Sequence, residues 1–69
     1  MKLSARNILP GRIRSINKSA ITAHVQIEVL GGPVVTASIT NEAVTDLDLK
    51  VGDKAYAVIK ASDVMVGKD

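Results

Sequence analysis

Ala20-Ile21-Thr22-Ala23-His24-Val25-Gln26-Ile27-Glu28-Val29-Leu30 is the stretch that decides the fold. Ile21, Ala23, Val25, Ile27 and Val29 alternate along it with Thr22, His24, Gln26 and Glu28. A period of two sends every apolar side chain to one face of an extended chain and every polar one to the other. The stretch therefore predicts a strand with one face buried. Gly31-Gly32-Pro33 follows as a turn, and Val34 to Thr40 reads as the returning strand of a hairpin.

Upstream, Leu9 to Asn17 predicts an earlier strand, with Ile13 facing away from Arg12 and Arg14. Gly11 marks a bulge or bend in it, and Asn17-Lys18-Ser19 is the next turn. The pattern changes at Asn41. Asn41 is a good N-cap and Glu42 suits the positive end of a helix. Ala43, Val44 and Leu47 fall at helical spacing, which predicts one helix of about two turns. Leu49-Lys50-Val51-Gly52-Asp53 leads out through a glycine turn. Lys54 to Lys60 alternates again, and a last strand is expected over Asp63 to Val66. With no linker, repeat or low-complexity stretch, residues 1–69 form a single domain. The class is all-β. Five short strands with a helix between the third and fourth is the order of an OB-like five-stranded barrel. A five-stranded open sheet with unpaired edges fits the same order, and in both the edges need cover.

A chain of 69 residues is marginal as a lone core. It has no cysteine for disulfides, and one histidine with no thiolate makes no structural zinc site. Its apolar residues are Val, Ile, Ala and Leu, with no Phe or Trp and one Tyr. Small aliphatic side chains suit tight strand packing and flat subunit interfaces, so a homo-oligomer is expected. No apolar run approaches the length of a membrane span. Met1-Lys2-Leu3-Ser4 turns polar at once, unlike a secretory leader, so the cytoplasm is the expected location.

Catalysis finds little support. The single histidine, His24, falls on the polar face of its strand and reads as a surface or interface residue. Ser4, Ser15, Ser19, Ser38 and Ser62 are the available hydroxyl nucleophiles, but none sits in a nucleophile elbow. Glu28, Glu42, Asp46, Asp48, Asp53 and Asp63 are scattered and lack calcium-loop spacing. Single-stranded nucleic acid, a frequent ligand of OB-like barrels, needs aromatic platforms for the bases. Tyr56 is the only aromatic residue, and a net charge of +2 is too mild for bulk nucleic-acid affinity.

Small anions remain. A tetrahedral oxyanion presents only acceptors, so its site must be built from donors. Ser4-Ala5-Arg6-Asn7 and Lys60-Ala61-Ser62 are donor-rich, and Thr40-Asn41 opens the helix. Each has a plainer reading: Lys60 as a solvated side chain, Ser4 and Arg6 as part of a frayed terminus. These segments allow an oxyanion site without selecting one.

Ser4-Ala5-Arg6-Asn7 followed by Gly11 resembles the opening of the molbindins, small molybdate-binding proteins built from one Mop-type (TOBE) domain. The run Ala57-Val58-Ile59-Lys60-Ala61-Ser62-Asp63-Val64-Met65-Val66 is similar to their closing motif. Ile39-Thr40, the short helix and Leu49-Lys50-Val51-Gly52-Asp53 lie between in the expected order, so the resemblance covers essentially the whole chain. It implies an OB-like fold assembled as a hexamer, a trimer of dimers. It implies molybdate or tungstate bound as an oxyanion at subunit interfaces, with no direct metal ligands and no catalytic cofactor. The implied site residues are Ser4, Ala5, Arg6, Thr40, Lys60, Ala61 and Ser62. Where relatives carry Ser after the Lys, this chain has Ala61, so its backbone N–H or the Ser62 hydroxyl takes that contact. Arg6 and Lys60 would offset the dianion's charge while hydroxyls and N–H groups complete the shell. A shell of donors alone disfavours protonated phosphate, which needs an acceptor. Intracellular storage or homeostasis is the leading functional expectation. The alternatives are a stand-alone regulatory or accessory oxyanion-sensing domain and a small OB-fold nucleic-acid binder. No nucleic-acid or membrane partner is expected.

Overall fold

The computed structural model describes all 69 residues. Four strands and one helix follow in order: β1 (Asn7–Lys18), β2 (Thr22–Val29), β3 (Val34–Thr40), α1 (Asn41–Asp46) and β4 (Lys54–Ile59). They form one sheet in the order β3-β2-β1-β4, with each bonded pair antiparallel. The alternation over 20–30 sorts its side chains as expected. Ala23, Val25 and Ile27 are buried, whereas Thr22, His24 and Glu28 are exposed. Ile21 departs from the pattern: it lies in the turn before β2 and is 74% exposed. The core is completed by Ile13 of β1, Val44 of α1 and Ala57 of β4.

β1 is long because it serves two neighbours. Its first half pairs with β4, from Asn7↔Ile59 to Arg12↔Lys54, and the β2 pairing runs from Gly11↔Val29 to Lys18↔Ala23. Pro10, which has no N–H to give, lies one residue beyond the last β1–β2 pair, where the ladder between these strands ends. Its carbonyl still accepts the Leu30 N–H at 3.0 Å. The β1–β2 register shifts between Ile13 and Ser15, which makes Arg14 the bulged residue. A bulge bends a strand and increases its twist. The bulge expected at Gly11 is thus three residues further on. Gly11 does something else: it lets β1 lie against the β2 backbone. A Cβ there would meet Glu28 O, Glu28 C and Val29 Cα, all main-chain atoms that cannot swing aside.

Two expected elements are corrected. The helix spans six residues, and its N-cap is Thr40, not Asn41: Thr40 Oγ1 accepts the Ala43 N–H at 3.0 Å. Asn41 is the first helical residue, and its side-chain Nδ2 donates to Ser19 O at 2.9 Å. Its main-chain N–H reaches Ile21 O at 2.8 Å, so the helix start is latched onto the β1–β2 turn. The fifth strand expected over 63–66 does not form within the chain. Ala61–Asp63 make a 3-10 turn, and the residues after it have no regular structure. The β-branched Val64 and Val66 suit an extended segment, but a strand also needs a neighbour to accept its backbone bonds. The chain by itself therefore has four strands and an open barrel. Its two edge strands, β3 and β4, face each other across a groove of about 350 Å³ lined by Ile27, Val35, Ala37, Ala57, Val58 and Ile59 among others.

The helix ends in a Schellman motif. Leu49 N–H bonds to Val44 O and Asp48 N–H to Thr45 O, both at 3.0 Å, with Asp48 held at φ +50°. That conformation disfavours side chains other than Gly and Asn. The exposed Asp48–Lys50 ion pair, at 3.7 Å, offsets little of the strain. Asp48→Gly is accordingly expected to stabilise the fold by about 0.5–1 kcal/mol. Thermal unfolding at matched protein concentration checks this, and a lower midpoint for the variant would contradict it.

Candidate functional site

The β1–β4 pairing is what gathers the donor-rich termini. Its outermost pair is Asn7↔Ile59, and the Asn7 side-chain Nδ2 adds a bond to Ile59 O at 3.1 Å. Arg6 and Lys60 follow that pair directly, with Ser4 and Ala5 before the one and Ala61 and Ser62, already in a 3-10 turn, after the other. Two segments more than fifty residues apart in sequence are thereby set side by side. Period two on an antiparallel pair places Arg6 and Lys60 on the outer face, in the row continued by Ile8↔Val58, Pro10↔Tyr56 and Arg12↔Lys54.

Local geometry leaves these residues free to donate. In the 3-10 turn, Asp63 N–H bonds to Lys60 O at 2.9 Å and Val64 N–H to Ala61 O at 3.3 Å. The N–H groups of Ala61 and Ser62 have no acceptor within the chain. Neither Arg6 nor Lys60 is paired with a carboxylate, since the single ion pair joins Lys50 to Asp48. Two exposed cations side by side, with unsatisfied N–H groups next to them, form a region of positive potential that favours an anion. No group of three or more His, Cys, Asp or Glu side chains could hold a metal ion.

Thr40 is not part of this cluster. It pairs with Thr22 at the far end of β3, near Lys18, while Arg6 and Lys60 lie off the other end of β1. The 12 residues of β1 separate the two positions. Its hydroxyl oxygen accepts the Ala43 N–H, which leaves the hydroxyl hydrogen available to an outside acceptor. Arg6 and Lys60 thus flank the last β1–β4 pair, with Ser4, Ala5, Ala61 and Ser62 next to them in sequence, whereas Thr40 stands apart. His24 is exposed between Asn17 and Ser38, its strand neighbours, with no catalytic arrangement around it.

Sequence reasoning missed the roles of Asn7 and Arg12. Asn7 closes the β1–β4 pair, and Arg12 Nη1 donates to Gly52 O at 3.1 Å, fixing the turn before β4. Asn7 sat within a quoted motif, but only the strand register shows what its amide reaches.

Comparison with known proteins identifies the family. Residues 3–66 match the family model of the TOBE domain. A probable molybdenum-pterin-binding protein of Haemophilus influenzae is 48% identical over 67 residues, covering 97% of each chain. Among solved structures, MopII from Clostridium pasteurianum superimposes with a TM-score of 0.91 at 37% identity, covering 97% of this chain and all of that one. The cytoplasmic molybdate-binding protein ModG, solved with molybdate bound, gives a TM-score of 0.89 at 48% identity, over 94% of this chain and 46% of that chain. Matched over nearly its whole length by one domain model and by full-length relatives, the chain belongs to the TOBE-domain family, in its molbindin (Mop) branch.

Proposed function

We propose that the protein binds molybdate, and tungstate of the same charge and geometry, at interfaces between its own copies, for intracellular storage and homeostasis of the oxyanion. The observation that carries this reading is the β1–β4 register. It sets Arg6 beside Lys60, without carboxylate partners, next to the free N–H groups of Ala61 and Ser62. That is the chemistry a tetrahedral dianion requires. The relatives' names, molybdenum-pterin-binding and molybdate-binding, point to the same ligand class. They name binding proteins, in keeping with a non-enzymatic role.

Three features support a site shared between copies. A pocket that uses both Thr40 and the Arg6–Lys60 cluster must draw on two chains, because one chain holds them at opposite ends of β1. Only seven of 69 residues are buried in the isolated chain, too few for an independently stable core. Finally, β3 and β4 present unpaired edges across an apolar groove, while Val64, Met65 and Val66 are exposed, apolar and unpaired. Residues 63–66 of a second copy, laid along that groove, would supply the fifth strand and close an OB-like barrel. A trimer of such dimers gives the hexamer. The cytoplasm is the proposed location; ModG is described as cytoplasmic, and no helix here is long and apolar enough to cross a membrane.

Native mass spectrometry with and without molybdate tests the proposal. A hexamer that gains several molybdate masses is the expected result. A monomer with no anion uptake would overturn it.

A further inference from the structure

Asn7 stands at the mouth of the proposed oxyanion site, and its amide makes one specific contact. Its Nδ2 donates to Ile59 O at 3.1 Å, across the last pair of the β1–β4 ladder, and the residue is half-buried. The carbonyl it holds belongs to the Ile59–Lys60 peptide. A trans peptide is planar, so fixing the C=O direction also fixes the N–H of Lys60, which points the opposite way. The same plane sets where the chain enters the 3-10 turn, at Lys60 φ −63° and ψ 138°. On the other strand, the Asn7 backbone is the direct continuation of Arg6. One side chain thus ties together the two strand ends that carry the like-charged pair.

These ends need a tie. Arg6 and Lys60 repel each other, no acid intervenes, and β1 and β4 have no bonded pair beyond Asn7↔Ile59. Without a bridge, the ends would splay and the two cations would separate until an anion paid for bringing them together. We propose that Asn7 is a positioning residue for the oxyanion site: its amide holds the Ile59–Lys60 peptide so that Arg6 and Lys60 are preorganised before the anion arrives. The proposal rests on the oxyanion reading above. It assigns Asn7 no contact with the ligand, which a carboxamide sharing the donor-rich motif could otherwise be taken to make.

The test is molybdate titration by calorimetry on the full chain with Asn7→Leu, which keeps the shape and loses the donor, and Asn7→Gln, which keeps the donor on a longer arm. Asn7→Leu is expected to weaken binding roughly ten- to hundredfold, as removing a supporting partner of a bound ion typically does. Asn7→Gln is expected to recover most of that loss. Amide resonances of Lys60 and Ala61 in the anion-free protein are expected to shift in Asn7→Leu and to return in Asn7→Gln. If Leu at position 7 impairs assembly, Asn7→Ser, too short to reach Ile59 O, replaces it. Wild-type affinity in Asn7→Leu, or equal losses in Asn7→Leu and Asn7→Gln, would overturn the proposal. Arg6→Ala and Lys60→Ala separate its failure from that of the site itself. If they lose affinity and Asn7→Leu does not, only the role of Asn7 fails. If they too bind normally, the site is elsewhere.

Discussion

Gly11→Ala is expected to destabilise the protein by about 3 kcal/mol, the upper end of what forced overpacking costs. The reason is geometric. The added Cβ would stand 3.0 Å from Glu28 C and from Val29 Cα and closer still to Glu28 O. All three are backbone atoms of β2, so no side-chain rotation relieves the clash. The strands must move apart, and that loosens the contact between β1 and β2 on which Ile13, Val25 and Ile27 depend for burial. For a domain of this size the loss corresponds to a fall in melting temperature of roughly 12–24 °C. The comparison is made at one protein concentration, because association shifts apparent stability by mass action. Gly67→Ala is the control: its Cβ would meet nothing within 4 Å. A Gly11→Ala midpoint equal to that control would mean β1 and β2 do not approach as described.

Arg6→Ala and Lys60→Ala are expected to weaken molybdate binding by roughly 10- to 150-fold each, the equivalent of about 1.5–3 kcal/mol for a charged hydrogen bond. Both side chains are exposed and lack partners in the chain, so neither change should alter the circular-dichroism spectrum or the melting temperature without ligand. The wild-type affinity should also fall as salt rises, and less steeply in each variant, because screening acts on the charges removed. Calorimetry that finds unchanged affinity in both variants would sink the site assignment.

Much of this architecture was legible in the sequence, and the exceptions share a cause. The strand over Ala20 to Leu30, the hairpin that returns through Val34 to Thr40 and the strand from Lys54 all follow from side-chain alternation, which is a property of one segment. The bulge at Arg14 leaves no such mark, because an arginine extra in the ladder looks like any other exposed residue. Gly11 was noticed, but whether it bends a strand or admits a neighbour depends on the backbone across from it. The helix cap moved from Asn41 to Thr40 because both residues can cap; Asn41 is drawn away by Ser19, 22 positions earlier. The run Asp63 to Val66 has a strand's side chains but no strand beside it within the chain. The candidate site divides the same way. Residue types and motifs pointed to Ser4 through Arg6 and Lys60 through Ser62, but only the register shows that the two segments flank one pair, Asn7↔Ile59. The distance of Thr40 from that cluster was invisible until the strand order was known.

That Asn7–Ile59 bond joins positions 52 apart in the chain, and no strand pair of the sheet is further apart. Contacts of such long range close late in folding, after local hairpins have formed, since the loop entropy must be met first. The proposed anion seat is therefore expected to assemble at the end of the folding reaction, and to be absent from partly folded forms that lack the β1–β4 ladder. A ligand that recognises only the completed pairing lowers the native state without lowering the barrier on the way in. Its expected effect falls on how long the protein stays folded: the oxyanion would act as a brake on unfolding, not as a template for folding.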